Sequence, residues 1–156
     1  MTSRKLASKI RALEGFQMQY VCDAAGGATW FRIETEGEAA LESDLMNHAV
    51  EKHFRKAREL AMATYAPPSG LYVEQDIGLE AHVRRVMPIF LTLRDEEGEG
   101  LATAMLPSAG GHDQKFRPII VGVANSDPYR QHGDAIRRLG EHFGLSLDRV
   151  RCYPYP

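Results

Sequence analysis

The segment SAGGHDQKFRP, residues 108–118, holds four chemically versatile side chains: His112, Asp113, Lys115 and Arg117. An imidazole, a carboxylate and two cations are the groups that acid–base catalysis or anion binding uses. The two glycines before them would let the backbone come close to a ligand. His112 and Asp113 are adjacent, however, and would point to opposite sides of an extended chain. The segment therefore predicts either a ligand-binding loop or a plain polar connection between strands.

Two more residues, His82 and Arg84, are candidates for the same ligand site if the fold brings them beside this loop. The ligand that these cations favour is a small anion. The enzymatic alternative is a hydrolase in which His112 and Asp113 do the chemistry and a cation of the loop holds an anionic substrate. Such a site would lie in a concave pocket and contain a histidine with a shifted pKa.

The histidines and cysteines lack the spacing of a metal site. His48 and His53 are five residues apart, which places them about 140° apart around one continuous helix, whereas zinc sites on helices use spacings of three or four. Cys22 and Cys152 form no CxxC pair. No Walker motif, GxGxxG or GxSxG is present. We expect no metal, no cofactor and no catalytic residue, and the sequence does not indicate an enzyme.

The composition is that of an ordinary globular domain, with 44% hydrophobic and 26% charged residues. A chain of 156 residues can bury about 70% of its unfolded surface, which is enough for one core. The net charge of −2 does not draw the chain to nucleic acid or to an anionic membrane. The 14 arginines against 5 lysines are typical of a GC-rich bacterial genome. Because no signal peptide or membrane helix is visible, we expect a soluble cytoplasmic protein without a membrane partner.

Charge is segregated near the N-terminus. Residues 3–14 place three aliphatic side chains at helical spacing, which predicts a short amphipathic helix. Residues 1–13 carry four basic side chains and no acid, whereas residues 14–44 have a balance of −6. These opposite charges favour a homodimer in which the helix of one copy meets the acidic segment of the other. A nucleic-acid-associated regulator that uses the basic helix is the second alternative.

Alternating apolar residues predict a β-hairpin, with strands in FQMQYVCD (16–23) and TWFRIET (29–35) on either side of a glycine turn. Residues 43–65 then carry apolar side chains with helical period and predict one long helix. The prolines of the following APPSG segment cannot continue that helix.

Further strands are predicted in GLYVEQDI (70–77), HVRRVMPIFLTLRD (82–95) and LATAMLPS (101–108). Pro88 within the second of these lacks a backbone donor and predicts a bulge, an edge position or a break. RPIIVGVAN (117–125) is apolar on both faces, which predicts a central buried strand.

The last helix is predicted over residues 126–144, and Gly144 suits its end. Gly133 and Gly140 would let this helix approach a neighbour closely. The tail LSLDRVRCYPYP (145–156) indicates a final strand or an extended arm.

Taken as a whole, the order predicts a single α+β domain over residues 1–156. We expect a mostly antiparallel sheet of about five or six strands, a long central helix and a C-terminal helix packed on the sheet. The layout resembles that of PAS-like and profilin-like sensor domains, in which two strands, a helical section and three strands follow one another. No motif of either family is present, so the resemblance is one of layout only. Because the sequence has no evident catalytic motif, we expect a small binding or regulatory domain that senses a small ligand or contacts another protein.

Overall fold

Five antiparallel strands form one sheet in the computed structural model, which describes residues 18–66, 75–108 and 116–153. The strands are β1 (Gln19–Asp23), β2 (Thr29–Ile33), β3 (Ile89–Arg94), β4 (Gly100–Leu106) and β5 (Ile119–Val121). They are neighbours in chain order, and each pairs antiparallel with the next. The predicted α+β class with an antiparallel sheet is confirmed. The helix predicted over residues 3–14 lies outside the described residues.

Helices cover both faces of this sheet. The chain forms α1 (Glu36–Met46), α2 (Val50–Ala63) and α3 (Gln75–Val86) between β2 and β3, and α4 (Tyr129–Phe143) and α5 (Arg149–Cys152) after β5. Because side chains alternate along a strand, Trp30 and Leu91 pack in one core with α4. Ile33 and Phe90 pack in a second core with α1, α2 and α3. The sheet is thus the middle layer of three, which explains why β3 is buried along its whole length.

The single long helix predicted over residues 43–65 is wrong, because the chain forms α1 and α2 with a break at residues 47–49. Asn47 follows α1 in the left-handed conformation, with φ of 53°, which asparagine adopts more readily than most residues. α1 also begins earlier than predicted, at a capping box. There the Thr35 hydroxyl accepts from the Glu38 amide and the Glu38 carboxylate accepts from the Thr35 amide.

Residues 75–86 form α3, where apolar alternation predicts the end of one strand and the start of the next. Residues 70–74 of the strand predicted over 70–77 lie outside the described residues. Leu79, Val83 and Met87 follow one another at a spacing of four and pack in the core with α2. That spacing places them on one face of a helix. The strand prediction is confirmed only beyond the break that Pro88 marks, because β3 begins at the next residue.

The central strand predicted in residues 117–125 is also wrong. β5 has three residues and lies at the edge of the sheet, whereas β3 is the central strand. Ile120 is nevertheless fully buried, because it packs in the core with α4. Apolar residues on both faces of a strand therefore indicate that both faces are covered, and they do not indicate a central position.

α4 confirms the predicted C-terminal helix, and Gly144 follows it with φ of 68°. Gly140 permits the close approach that we predict, because a Cβ there would lie 2.6 Å from the Leu145 carbonyl oxygen. The same prediction for Gly133 is wrong, since a Cβ there would meet no described atom within 4 Å. Residues 149–152 form α5 in place of the expected strand or extended arm.

Candidate functional site

An open cleft of about 250 Å³ lies between the start of α2 and strands β3, β4 and β5, and we name it the His48 cleft. Apolar side chains form most of its wall: Val50, Phe90, Ala104, Met105, Ile119 and Val121. Its polar residues are His48, His53, Thr103 and Asn125. Among the described residues that line it, none is Asp, Glu, Lys or Arg. Apolar walls with a few polar groups are the usual form of a small-ligand site.

Hydrogen bonds fix the imidazole of His48 in this cleft. The Thr103 hydroxyl donates to Glu42 Oε2 at 2.5 Å. Because a hydroxyl has one hydrogen, the Thr103 oxygen accepts the bond from His48 Nε2 at 2.8 Å. His48 therefore carries its proton on Nε2, and its Nδ1 accepts from the Val50 amide at 3.4 Å. Burial lowers the pKa of His48, against a smaller opposing effect of Glu42, which favours the neutral form of the ring.

A buried ion pair supports these hydrogen bonds. Glu42 is fully buried, and its Oε1 accepts from Arg94 Nη2 at 2.6 Å. Arg94 also donates from Nε to Thr92 Oγ1 at 3.0 Å and from Nη1 to the Gly98 carbonyl at 3.2 Å. A buried pair is tolerated when further hydrogen bonds satisfy both of its members. Those bonds are present here, and the pair holds the Thr103 hydroxyl in place.

Strained backbone borders the same cleft. Ala124 and Asn125 have positive φ values of 55° and 60° in the turn after β5, and Asn125 lines the cleft. The left-handed backbone conformation costs alanine about 1–2 kcal/mol. Backbone strain of this kind is concentrated at functional sites. The Tyr153 hydroxyl donates to the Asn125 carbonyl at 3.0 Å and helps to hold the turn. The strained turn is a second feature that marks this cleft as a candidate site.

A second cleft of about 230 Å³ lies between β2, α2 and α3, and we name it the Arg32 cleft. Two ion pairs line it. Arg58 donates to both carboxylate oxygens of Glu80, at 2.6 and 3.2 Å, and these bonds lower the pKa of Glu80. Arg84 is paired with Glu34. Arg32 is half-buried beside them, and burial, followed by the charge of Arg84, lowers its pKa.

The structure places two of the predicted site residues, Arg84 and Arg117, far apart. Arg84 lines the Arg32 cleft and donates to Gln19 Oε1 of β1 at 2.7 Å. Arg117 precedes β5 and donates to the carbonyl oxygens of Arg151 and Tyr153, at 3.0 and 2.8 Å. β1 and β5 are opposite edges of the five-stranded sheet, about 19 Å apart at about 4.8 Å per strand. Arg84 and Arg117 are therefore not brought together.

His82 lies on α3 and not on a strand, and its Nε2 is hydrogen-bonded to Thr64 Oγ1 at 2.7 Å. The remaining candidates, His112, Asp113 and Lys115, lie outside the described residues, and their role stays a prediction.

The described ends of the 108–118 segment connect to the wall of the His48 cleft. Met105 of β4 pairs with Ile119 of β5, and both side chains line that cleft. The segment that the sequence singles out thus begins and ends close to this cleft.

Sequence reasoning missed His48 because it treats residues 43–65 as one helix. A continuous helix would separate His48 and His53 by about 140°, yet the break at Asn47 places both in the lining of one cleft. Two signals could have revealed the break. Asparagine often ends a helix, and Thr-x-x-Glu at 35–38 is the pattern of a helix start.

No protein-family model, curated protein or solved structure matches this chain. Within the described ranges, no three His, Cys, Asp or Glu side chains are grouped so as to hold a metal ion. In those same ranges, no helix has the length and apolar character needed to cross a membrane.

Proposed function

We propose that this protein is a small-ligand-binding domain and that its ligand, an uncharged and mostly apolar molecule, occupies the His48 cleft. The observation that carries the proposal is the largely apolar wall of the cleft, in which His48 is held through Thr103 and Glu42 and Asn125 supplies a further polar group. Apolar walls supply most of the binding free energy of such sites, and a few polar groups orient the ligand.

The lining of the cleft sets the charge of the ligand. A charged group in apolar surroundings needs an opposite charge or several hydrogen bonds, and the described lining supplies no Asp, Glu, Lys or Arg. Burial lowers the pKa of His48 and so disfavours a positive charge on its ring. An uncharged ligand avoids this desolvation cost.

The polar groups and the volume set the shape of the ligand. The ring nitrogens of His48 and the Thr103 hydroxyl are engaged within the protein, whereas the Asn125 amide offers both donors and an acceptor. A ligand with one amide or hydroxyl group can pair with Asn125 and pack its apolar part against Met105 and Ile119. The volume of about 250 Å³ is below the roughly 300–1,000 Å³ of pockets for drug-sized molecules, so the ligand is small.

Native mass spectrometry of the freshly purified protein is the first test, because a co-purified ligand adds its mass to the folded protein and is lost on denaturation. The second test is ligand-detected NMR with a panel of small uncharged compounds that includes benzamide.

Two variants make the NMR measurement specific. Ala49 is exposed and lines the cleft, so Ala49→Phe should fill the space and abolish binding. Ala63 is exposed at the end of α2 and is not part of the lining, so Ala63→Phe should bind as the wild type does. The proposal is wrong if no compound binds the wild type, or if Ala49→Phe binds as tightly as the wild type.

We also propose that the chain forms a homodimer through residues 1–14, and the support is the segregation of charge in the sequence. Native mass spectrometry should show a dimer, and deletion of residues 1–13 should give a monomer. A dimer that survives the deletion would contradict this proposal. Nucleic-acid binding that weakens steeply with salt, and that the deletion abolishes, would instead support the nucleic-acid alternative.

A further inference from the structure

One guanidinium group in the Arg32 cleft has no carboxylate partner among the described residues. Three arginines and two glutamates line the cleft, and each glutamate is already engaged, Glu80 by Arg58 and Glu34 by Arg84. Arg32 forms no ion pair with any described residue. It makes one hydrogen bond there, from Nη2 to the Arg84 carbonyl at 3.4 Å.

The surroundings of Arg32 favour a negatively charged ligand. The guanidinium groups of Arg58 and Arg84 are paired with the carboxylates of Glu80 and Glu34. Phe54 and Met87 contribute apolar surface to the same cleft, which lowers the local dielectric constant and strengthens a charge-assisted hydrogen bond. Burial and, to a smaller extent, the charge of Arg84 lower the pKa of Arg32, and the charge of Glu34 opposes them only in part.

We propose that the Arg32 cleft binds a small oxyanion, a carboxylate or phosphate group, through the guanidinium of Arg32. Arginine presents parallel N–H donors that match two oxygens of such a group. The anion balances the one positive charge by which the three arginines exceed the two glutamates. The site is distinct from the His48 cleft, since Phe54 lines one cleft and Phe90 the other, and the two rings pack edge to face with centroids 5.1 Å apart.

A two-dimensional ¹H–¹⁵N NMR titration of the full chain tests this site. The probes are inorganic phosphate and benzoate at constant ionic strength, with benzamide as the uncharged counterpart of benzoate. We expect saturable shifts of the Arg32 Nε–H signal and of backbone amides in β2 and α3 with both anions, and none of these shifts with benzamide.

Two charge-removing variants define the contribution of Arg32. In Arg32→Gln the affinity for the anions should fall about ten- to a hundredfold, as expected when hydrogen bonds to a charged group are lost. Arg55 is exposed on α2, pairs with Glu51 and does not line the cleft. Arg55→Gln should therefore bind the anions as the wild type does.

The proposal is overturned if neither anion gives saturable shifts in the wild type, if Arg32→Gln binds as tightly, or if Arg55→Gln weakens binding equally. If Arg32→Gln does not fold, the map of wild-type shifts decides. Shifts centred on Arg32 support the proposal, and shifts centred elsewhere overturn it. Benzamide reports on the His48 cleft and the anions report on the Arg32 cleft, so either proposed site can fail without the other.

Discussion

Removing either member of the ion pair between Glu42 and Arg94 should strongly destabilise the protein. The Glu42 side chain is 0% exposed and the Arg94 side chain 9% exposed, so the member left behind keeps an unbalanced charge away from water. Unit charges about 4 Å apart attract by about 4 kcal/mol at an effective dielectric constant of about 20. Breaking comparable buried pairs costs about 3–5 kcal/mol. We expect Glu42→Gln and Arg94→Met each to lower the free energy of unfolding by about 3–4 kcal/mol.

The double variant separates the interaction energy of the ion pair from the other effects of each substitution. Glu42→Gln/Arg94→Met should lose less than the sum of the single losses, by about 2–3 kcal/mol, because neither charge is then left unpaired. Urea unfolding followed by the fluorescence of Trp30, the single tryptophan and a fully buried one, measures all four proteins. With a slope of about 2 kcal/mol per M, a loss of about 4 kcal/mol lowers the midpoint by about 2 M. Losses that simply add in the double variant would refute the ion-pair argument.

Gly140→Ala should destabilise the protein by about 1–3 kcal/mol, because its Cβ would lie 2.6 Å from a backbone oxygen, whereas Gly133→Ala on the same helix should stabilise it by about 0.5–1 kcal/mol. Thermal unfolding checks both variants, and equal effects would contradict the packing argument. Stability should fall as the pH drops below about 6.5, because burial lowers the pKa of His48 and the unfolded chain then binds more protons than the folded one. His48→Gln should weaken this dependence in urea titrations between about pH 5 and 8, and an unchanged pH profile would count against it. Burial raises the pKa of both thiols, that of half-buried Cys22 and that of buried Cys152. A thiol reagent at neutral pH should therefore modify Cys22 slowly and Cys152 only on unfolding, and rapid labelling of both in the native protein would show the reasoning to be wrong.

Sequence patterns predicted the elements whose contacts are local. The β1–β2 and β3–β4 hairpins and α4 follow from alternation, turn residues and helical period. Periodicity failed where one pattern fits two structures. Val83 and Met87 are four residues apart, so they share a face on a strand as well as on a helix. In the structure they lie on a helix and pack in the core with residues of α2.

The candidate site was less accessible to sequence reasoning than the fold. Its residues come from separate segments: Glu42 and Arg94 are 52 positions apart, and Thr103 is 61 positions from Glu42. His112 and Asp113 attracted attention because an imidazole and a carboxylate lie in one short polar segment, yet adjacent residues on an extended chain point to opposite sides. No local pattern marks Arg32 or Glu42, because their importance depends on what the fold places beside them.

The sequence by itself determined an α+β chain with an antiparallel sheet and an amphipathic C-terminal helix. It could do so because side-chain periodicity and turn residues act through neighbours in the chain. Only the tertiary structure decided which strand is central, where the predicted long helix breaks, and which polar groups share a cleft. Those outcomes depend on burial and on hydrogen bonds between residues far apart in sequence, such as Thr103 with His48, 55 positions apart. A one-dimensional pattern does not record those contacts.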